Sequence, residues 1–127
     1  MPDIDGWWDS LVHDRAESVL ELVIRSVADD YESVETILQS VNEWNLELDS
    51  KNWPAMRALP VSRPEVINAM RELTREGYVQ ANILDSRKPY ARAVEFREDE
   101  AERLWFLVTP KGAAAVQRLY ERISRNP

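Results

Sequence analysis

The stretch "VSRPEVINAMRELTREGYVQANIL", residues 61–84, constrains the fold of this chain more than any other. Ser62 and Glu65 stand at the S-x-x-E spacing of a capping box, with Pro64 in the first turn, where its missing N–H costs nothing. Val66, Ile67, Met70 and Leu73 then recur on one helical face, and Gly77 stands where a left-handed residue ends a helix. Beyond it Val79, Ala81 and Ile83 alternate with Tyr78, Gln80 and Asn82, the period of a half-buried strand. The pattern predicts a helix over 63–76 that runs directly into a strand over 78–84.

A second strand is predicted over 103–109. Leu104, Phe106 and Val108 alternate with Trp105 and Leu107, so it is apolar on both faces. Thr109 caps a last helix over 110–124, which opens on Pro110 and carries Ala113, Val116, Leu119, Tyr120 and Ile123. Upstream, Val12, Ala16, Val19, Leu20, Val23, Ile24 and Val27 make one stripe of a helix over 10–28. Val34, Ile37, Leu38, Val41 and Trp44 make another over 33–44, with Asp30 or Ser33 as N-cap. Residues 45–60 read as a loop containing a short helical turn. The fold class is therefore α+β and mostly helical: a capped helix, a two-stranded hairpin, and additional N- and C-terminal helices. At 127 residues the chain suffices for one domain, 1–127, with one core.

Charge is unevenly distributed. The net charge is −7, yet residues 1–60 carry thirteen acidic side chains against four basic ones, and residues 85–127 carry nine basic against seven acidic. An acidic front half repels polyanions, although a local basic face is insulated from it by a Debye length of about 8 Å at physiological salt. There is no cysteine, which excludes disulfides, thiolate metal sites and a cysteine nucleophile. The acidic start, "MPDIDGWWDS", lacks the basic character of a secretory or transit signal, and the longest apolar run is too short for a bilayer. The expectation is a cytoplasmic protein that does not span a membrane.

With these elements placed, "VSRPEVINAMRELTREGYVQA" resembles the recognition helix and first wing strand of the MarR and PadR winged-helix regulators. "LWFLVTPKGAAAVQRL" resembles their second wing strand and following helix start, and "DSR" at 85–87 is similar to the Asp-x-Arg of a MarR wing. The resemblance covers residues 61–84 and 104–119. It implies a winged helix, binding to DNA, and a homodimer built through the terminal helices; Trp7 and Trp8 are expected near its rim because tryptophan is enriched at interfaces.

The candidate DNA contacts are Asn68, Arg71 and Arg75 on the capped helix, opposite its apolar stripe, with Arg87, Lys88 and Arg92 in the loop between the strands. Arginine can pair with guanine edges or phosphates and asparagine with adenine. The alternative for the helix is a solvated face on which Glu65 and Glu72 occupy the arginines. The loop ends in the acidic "EFREDEAE", whose Glu98, Asp99, Glu100 and Glu102 lack calcium-loop spacing and read as a solvated tip. His13 is the only histidine, so no metal cluster forms and no nucleophile–base pair is available. No cofactor and no enzymatic activity are expected. Two functions remain: a regulator-like DNA-binding module, or an acidic winged-helix module that binds a protein partner and not DNA.

Overall fold

The computed structural model describes residues 14–27, 31–43, 54–84 and 91–125. Helix α1 (Arg15–Ser26) begins at Asp14, which forms a reciprocal capping box with Glu17. The helix predicted over 10–28 is corrected at its start: Asp14 is extended (φ −71°, ψ 175°) and caps a helix that begins at Arg15, while residues 10–13 and 28, with Val12 and His13, lie outside the described residues. The single stripe predicted for α1 is corrected. Six consecutive residues, Val19 to Ile24, are buried, and Ala16 is exposed. Six in a row exceed one 3.6-residue turn, so this part of the helix is enclosed on every side. Its neighbours supply the reason, since three other helices and a 3₁₀ turn pack around it.

Two residues of strand, β1 (Glu32–Ser33), precede α2 (Val34–Asn42), whose N-cap is Ser33. Val34, Ile37 and Val41 are buried, as their spacing predicts. Trp44 lies outside the described residues. The helical turn expected within 45–60 is a 3₁₀ helix, Pro54–Ala58, that buries Ala55, Met56 and Ala58 against α1.

Helix α3 (Arg63–Arg75) has the full capping box of Ser62 and Glu65. At its other end the Tyr78 amide donates to Leu73 O and the Gly77 amide to Thr74 O, the paired bonds of a Schellman motif. Gly77 has φ +81°, the left-handed conformation such an ending requires.

The chain continues into β2 (Val79–Leu84), β3 (Ala91–Val94), a second 3₁₀ helix (Glu98–Arg103), β4 (Trp105–Val108) and α4 (Pro110–Arg125). The strands at 78–84 and 103–109 do pair antiparallel, with Ala81 opposite Phe106 and Val79 opposite Val108. The two-stranded hairpin is nevertheless corrected to a four-stranded antiparallel sheet, ordered β1-β4-β2-β3. The strand that follows β2 in sequence is β3, drawn from the long loop, and β4 returns on the other side of β2. β3 reads "ARAV" and β1 only "ES", too short and too poor in large apolar residues to carry a period-2 signal.

Burial along β2 also departs from simple alternation. Asn82 is buried, and its amide donates to Gln80 O (3.0 Å) and Trp105 O (3.3 Å), which satisfies its donors. Tyr78 is buried where α4 docks. Its carbonyl accepts from the Thr109 amide (3.0 Å), and the Lys111 ammonium lies 4.5 Å from its ring centroid.

Thr109 caps α4 as predicted, accepting from the Gly112 amide (3.1 Å) while its hydroxyl donates to Gly77 O (2.6 Å). The buried face of α4 is Gly112, Ala115, Val116 and Leu119; Ala113 and Tyr120, placed in the predicted stripe, are exposed. A Cβ on Gly112 would lie 2.0 Å from Tyr78 O, so α4 can approach the sheet this closely only with a residue that has no side chain there.

Candidate interaction surface

Three side-chain devices hold α3 against the rest of the molecule. Arg15 of α1 makes a two-pronged ion pair with Glu65 (Nε–Oε2 2.7 Å, Nη2–Oε1 3.1 Å) and also donates to Pro60 O. The Arg15 guanidinium, with help from Ser62, holds the Glu65 carboxyl down at about 2, and Glu65 raises Arg15 in return. Asn42, at the end of α2, accepts from the Val61 amide (2.7 Å) and donates to Val61 O (2.9 Å), which fixes the entry to α3. Arg63, the first residue of α3, is gripped by Glu35 of α2 (2.5 Å) and by Glu102; both raise its pKa, Glu35 more.

The candidate residues of α3 sit beside these anchors. Asn68 is exposed. Arg71 is partly exposed and pairs with Glu98 at 2.8 Å. Arg75 is exposed and pairs with Glu72 and, at 3.5 Å, with Glu76. The expectation that Glu65 and Glu72 occupy the arginines is thus half met: Glu72 takes Arg75, but Glu65 is committed to Arg15. Arg92 is exposed on β3. Arg87 and Lys88 lie outside the described residues, so their juxtaposition with α3 does too.

Glu98 and Glu102 are solvent-exposed, as expected (63% and 72%), but they also pair with α3. The 3₁₀ helix that carries them is anchored through buried Ala101 and Leu104, and it packs on α2 and α3. From there Glu98 reaches Arg71 and Glu102 reaches Arg63, two turns apart on α3. An acidic ridge therefore lies along the helix that the sequence marks as the nucleic-acid reader. No periodicity points to this, because the partners are far apart in sequence and meet only where the 3₁₀ helix packs on α2 and α3.

Beyond the ridge, Arg71 and Arg75 face a cleft of about 500 Å³ between α3 and the sheet. Thr74, Val79, Gln80, Ala81, Val94, Glu95 and Phe96 complete its lining, and Phe96 packs on Phe106 with ring centroids 6.2 Å apart. Sequence reasoning found the two arginines and missed Val94, Glu95 and Phe96, which read only as loop.

Among the described residues no group of three or more His, Cys, Asp or Glu is placed to hold a metal ion. No described helix is long and apolar enough to cross a membrane. No protein-family model, curated protein or solved structure matches this chain.

Proposed function

We propose that the chain is a non-catalytic, winged-helix-like module of the cytoplasm that binds a protein partner and not duplex DNA. Support for the winged-helix part comes from connectivity: a helix, a short strand, two helices, then strands of one antiparallel sheet, with β1 added beside β4. Fold alone does not assign a ligand. The observation that carries the reading is the ion pair of Glu98 with Arg71, together with Glu102 on Arg63. Duplex binding depends on cations that displace counterions from phosphates. Here two of the three arginines of α3 meet carboxylates on a ridge that the core holds in place. A phosphate backbone brought to this helix meets Glu98 and Glu102 at once, in a chain of net charge −7.

The test is fluorescence anisotropy of a labelled random-sequence duplex at about 50 mM salt, where nonspecific affinity is greatest. The expected result is no binding at tens of micromolar protein. Salt-dependent binding by the wild type that is lost on charge reversal of Arg71 and Arg75 would establish the regulator-like reading instead, with exposed Asn68, Arg75 and Arg92 as its contacts.

A further inference from the structure

Successive side chains of a strand point to opposite faces, so the register sorts the four strands into a core face and an outer face. Phe106, Ala81 and Val94 lie in one row on the core face. The next row, on the outer face, runs Ser33, Trp105, Asn82 and Ala93 across all four strands. By the same alternation Leu107 and Gln80 flank this row on one side, and Leu84 and Ala91 on the other. None of these outer side chains carries a charge, in a chain that is 31% charged. Of the three large apolar side chains exposed among the described residues, two, Trp105 (36%) and Leu84 (39%), stand on this face.

We infer that the outer face of the sheet docks an amphipathic helix of a partner protein, uncharged along the stripe it presents and bringing one hydrogen-bond donor to Asn82. The inference rests on the protein-binding reading above and gives it a site. Absence of charge together with an exposed tryptophan is the composition of the centre of a protein interface. No strand side chain on this face can pair with an anion, so neither a phosphate backbone nor an acidic peptide is held here. The relief suits a helix: Trp105 and Leu107 stand tall on β4, while Ala91 and Ala93 lie low on β3, about 10 Å away across β2, the width of one helix. Asn82 lies between them. It is only 6% exposed, and its amide donates to Gln80 O and Trp105 O, but its Oδ1 receives no hydrogen bond from the protein. Buried polar atoms are normally hydrogen-bonded, so this oxygen calls for a donor on whatever covers the face. The face measures roughly 14 by 14 Å, about 200 Å², a quarter of what each partner of a stable dimer buries. It does not by itself sustain a pair of whole chains, whereas one helix of about three turns covers it.

The probe is a capped, alanine-based helical peptide with lysine and glutamate on one side and a leucine stripe on the other, interrupted at its centre by one glutamine as donor. A control peptide carries leucine in place of that glutamine. Both are titrated to millimolar concentration into nitrogen-15-labelled full-length protein, as wild type and as W105A, L84E and the remote control Y120E, with circular dichroism reporting that each is folded. The expected result is saturable movement of the Trp105 indole and Asn82 side-chain amide resonances, the same in Y120E. Binding should be roughly tenfold weaker or more in W105A and L84E. The control peptide should bind several-fold more weakly, because it leaves the Asn82 oxygen covered and without a donor. No saturable movement at Trp105 and Asn82 in folded wild type, full binding by W105A and L84E, or equal binding of the two peptides overturns the proposal. The duplex assay is scored separately: DNA binding refutes the protein-binding reading, whereas failure of the peptide alone refutes only this face as its site.

Discussion

Arg15, the first residue of α1, closes a two-pronged ion pair on Glu65, the capping-box carboxylate of α3. One carboxylate thus completes a helix cap and joins two helices. Its folded pKa is about 2 against an ordinary 4.5, so the folded state holds fewer protons on this group than the unfolded chain. The stability it contributes is complete above about pH 4.5 and is lost as pH falls towards 2. We expect Glu65→Gln to lower stability at pH 7 and to flatten the fall in urea midpoint between pH 4.5 and 2. An unchanged acid slope in this variant would show that other carboxylates govern acid unfolding.

Two glycines separate strain from crowding. At Gly77 nothing lies within 4 Å of the position an added methyl group would take, but φ is +81°, so Gly77→Ala meets only backbone strain and should cost about 1 kcal/mol. At Gly112 the same methyl would lie 2.0 Å from Tyr78 O and 2.5 Å from Val108 Cγ2, and the nearest of these is backbone that cannot step aside. Gly112→Ala should therefore cost about 3 kcal/mol or more, by displacing α4 from the sheet. Chemical denaturation of both variants checks the order; equal losses would refute the close approach.

Asn42 answers both polar groups of Val61 with one side-chain amide. Removing it leaves a buried residue with an amide and a carbonyl to satisfy afresh. Asn42→Ala should cost about 1–3 kcal/mol, and Asn42→Asp should be destabilising too, since a carboxylate can accept from the amide but not donate to the carbonyl. Hydrogen exchange at the Val61 amide is the local readout, expected to speed up in both variants.

A homodimer is the fourth expectation; since residues Val19 to Ile24 of α1 are covered within the chain, the exposed face of α4 is the surface left for it. Tyr120 is 45% exposed on α4, where the Arg25 guanidinium of α1 donates to its hydroxyl at 3.3 Å. Exposed Ala113 lies on the same helix. Light scattering at tens of micromolar should give twice the 14.8 kDa chain mass. Tyr120→Glu should give the monomer with the fold intact, because the new carboxylate can pair with Arg25. A monomeric wild type would refute the dimer.

Much of the local structure was legible because the signals that encode it are local. Ser62 with Glu65, Gly77, and Thr109 before Pro110 each act within one turn of chain, and each stands in the structure where the spacing places it. The β2–β4 pairing was legible for a related reason, since two apolar alternating segments joined by polar chain have few other ways to bury their faces. Of the candidate contacts, Arg71 and Arg75 do lie together on one side of α3. What lies opposite them was not legible, because β3 and the second 3₁₀ helix carry almost no periodic signal.

Local signals in the sequence set where α2, α3 and α4 start, where α3 stops, that the β2 and β4 segments can pair, and that the chain carries an acidic excess; the start of α1, capped by Asp14 with Glu17, was not read. Those properties follow from backbone capping, side-chain period and composition, none of which needs a distant partner. Long-range packing decided that α1 is enclosed on all sides, that a four-stranded sheet replaces a hairpin, and that α4 docks closely through Gly112. It also decided the electrostatic fate of α3. Glu98 pairs with Arg71, and Glu102 joins Glu35 on Arg63, because packing of Ala101 and Leu104 brings the acidic segment back across the helix. A charge has no periodicity of its own; which partner it meets depends on how the apolar residues around it are buried.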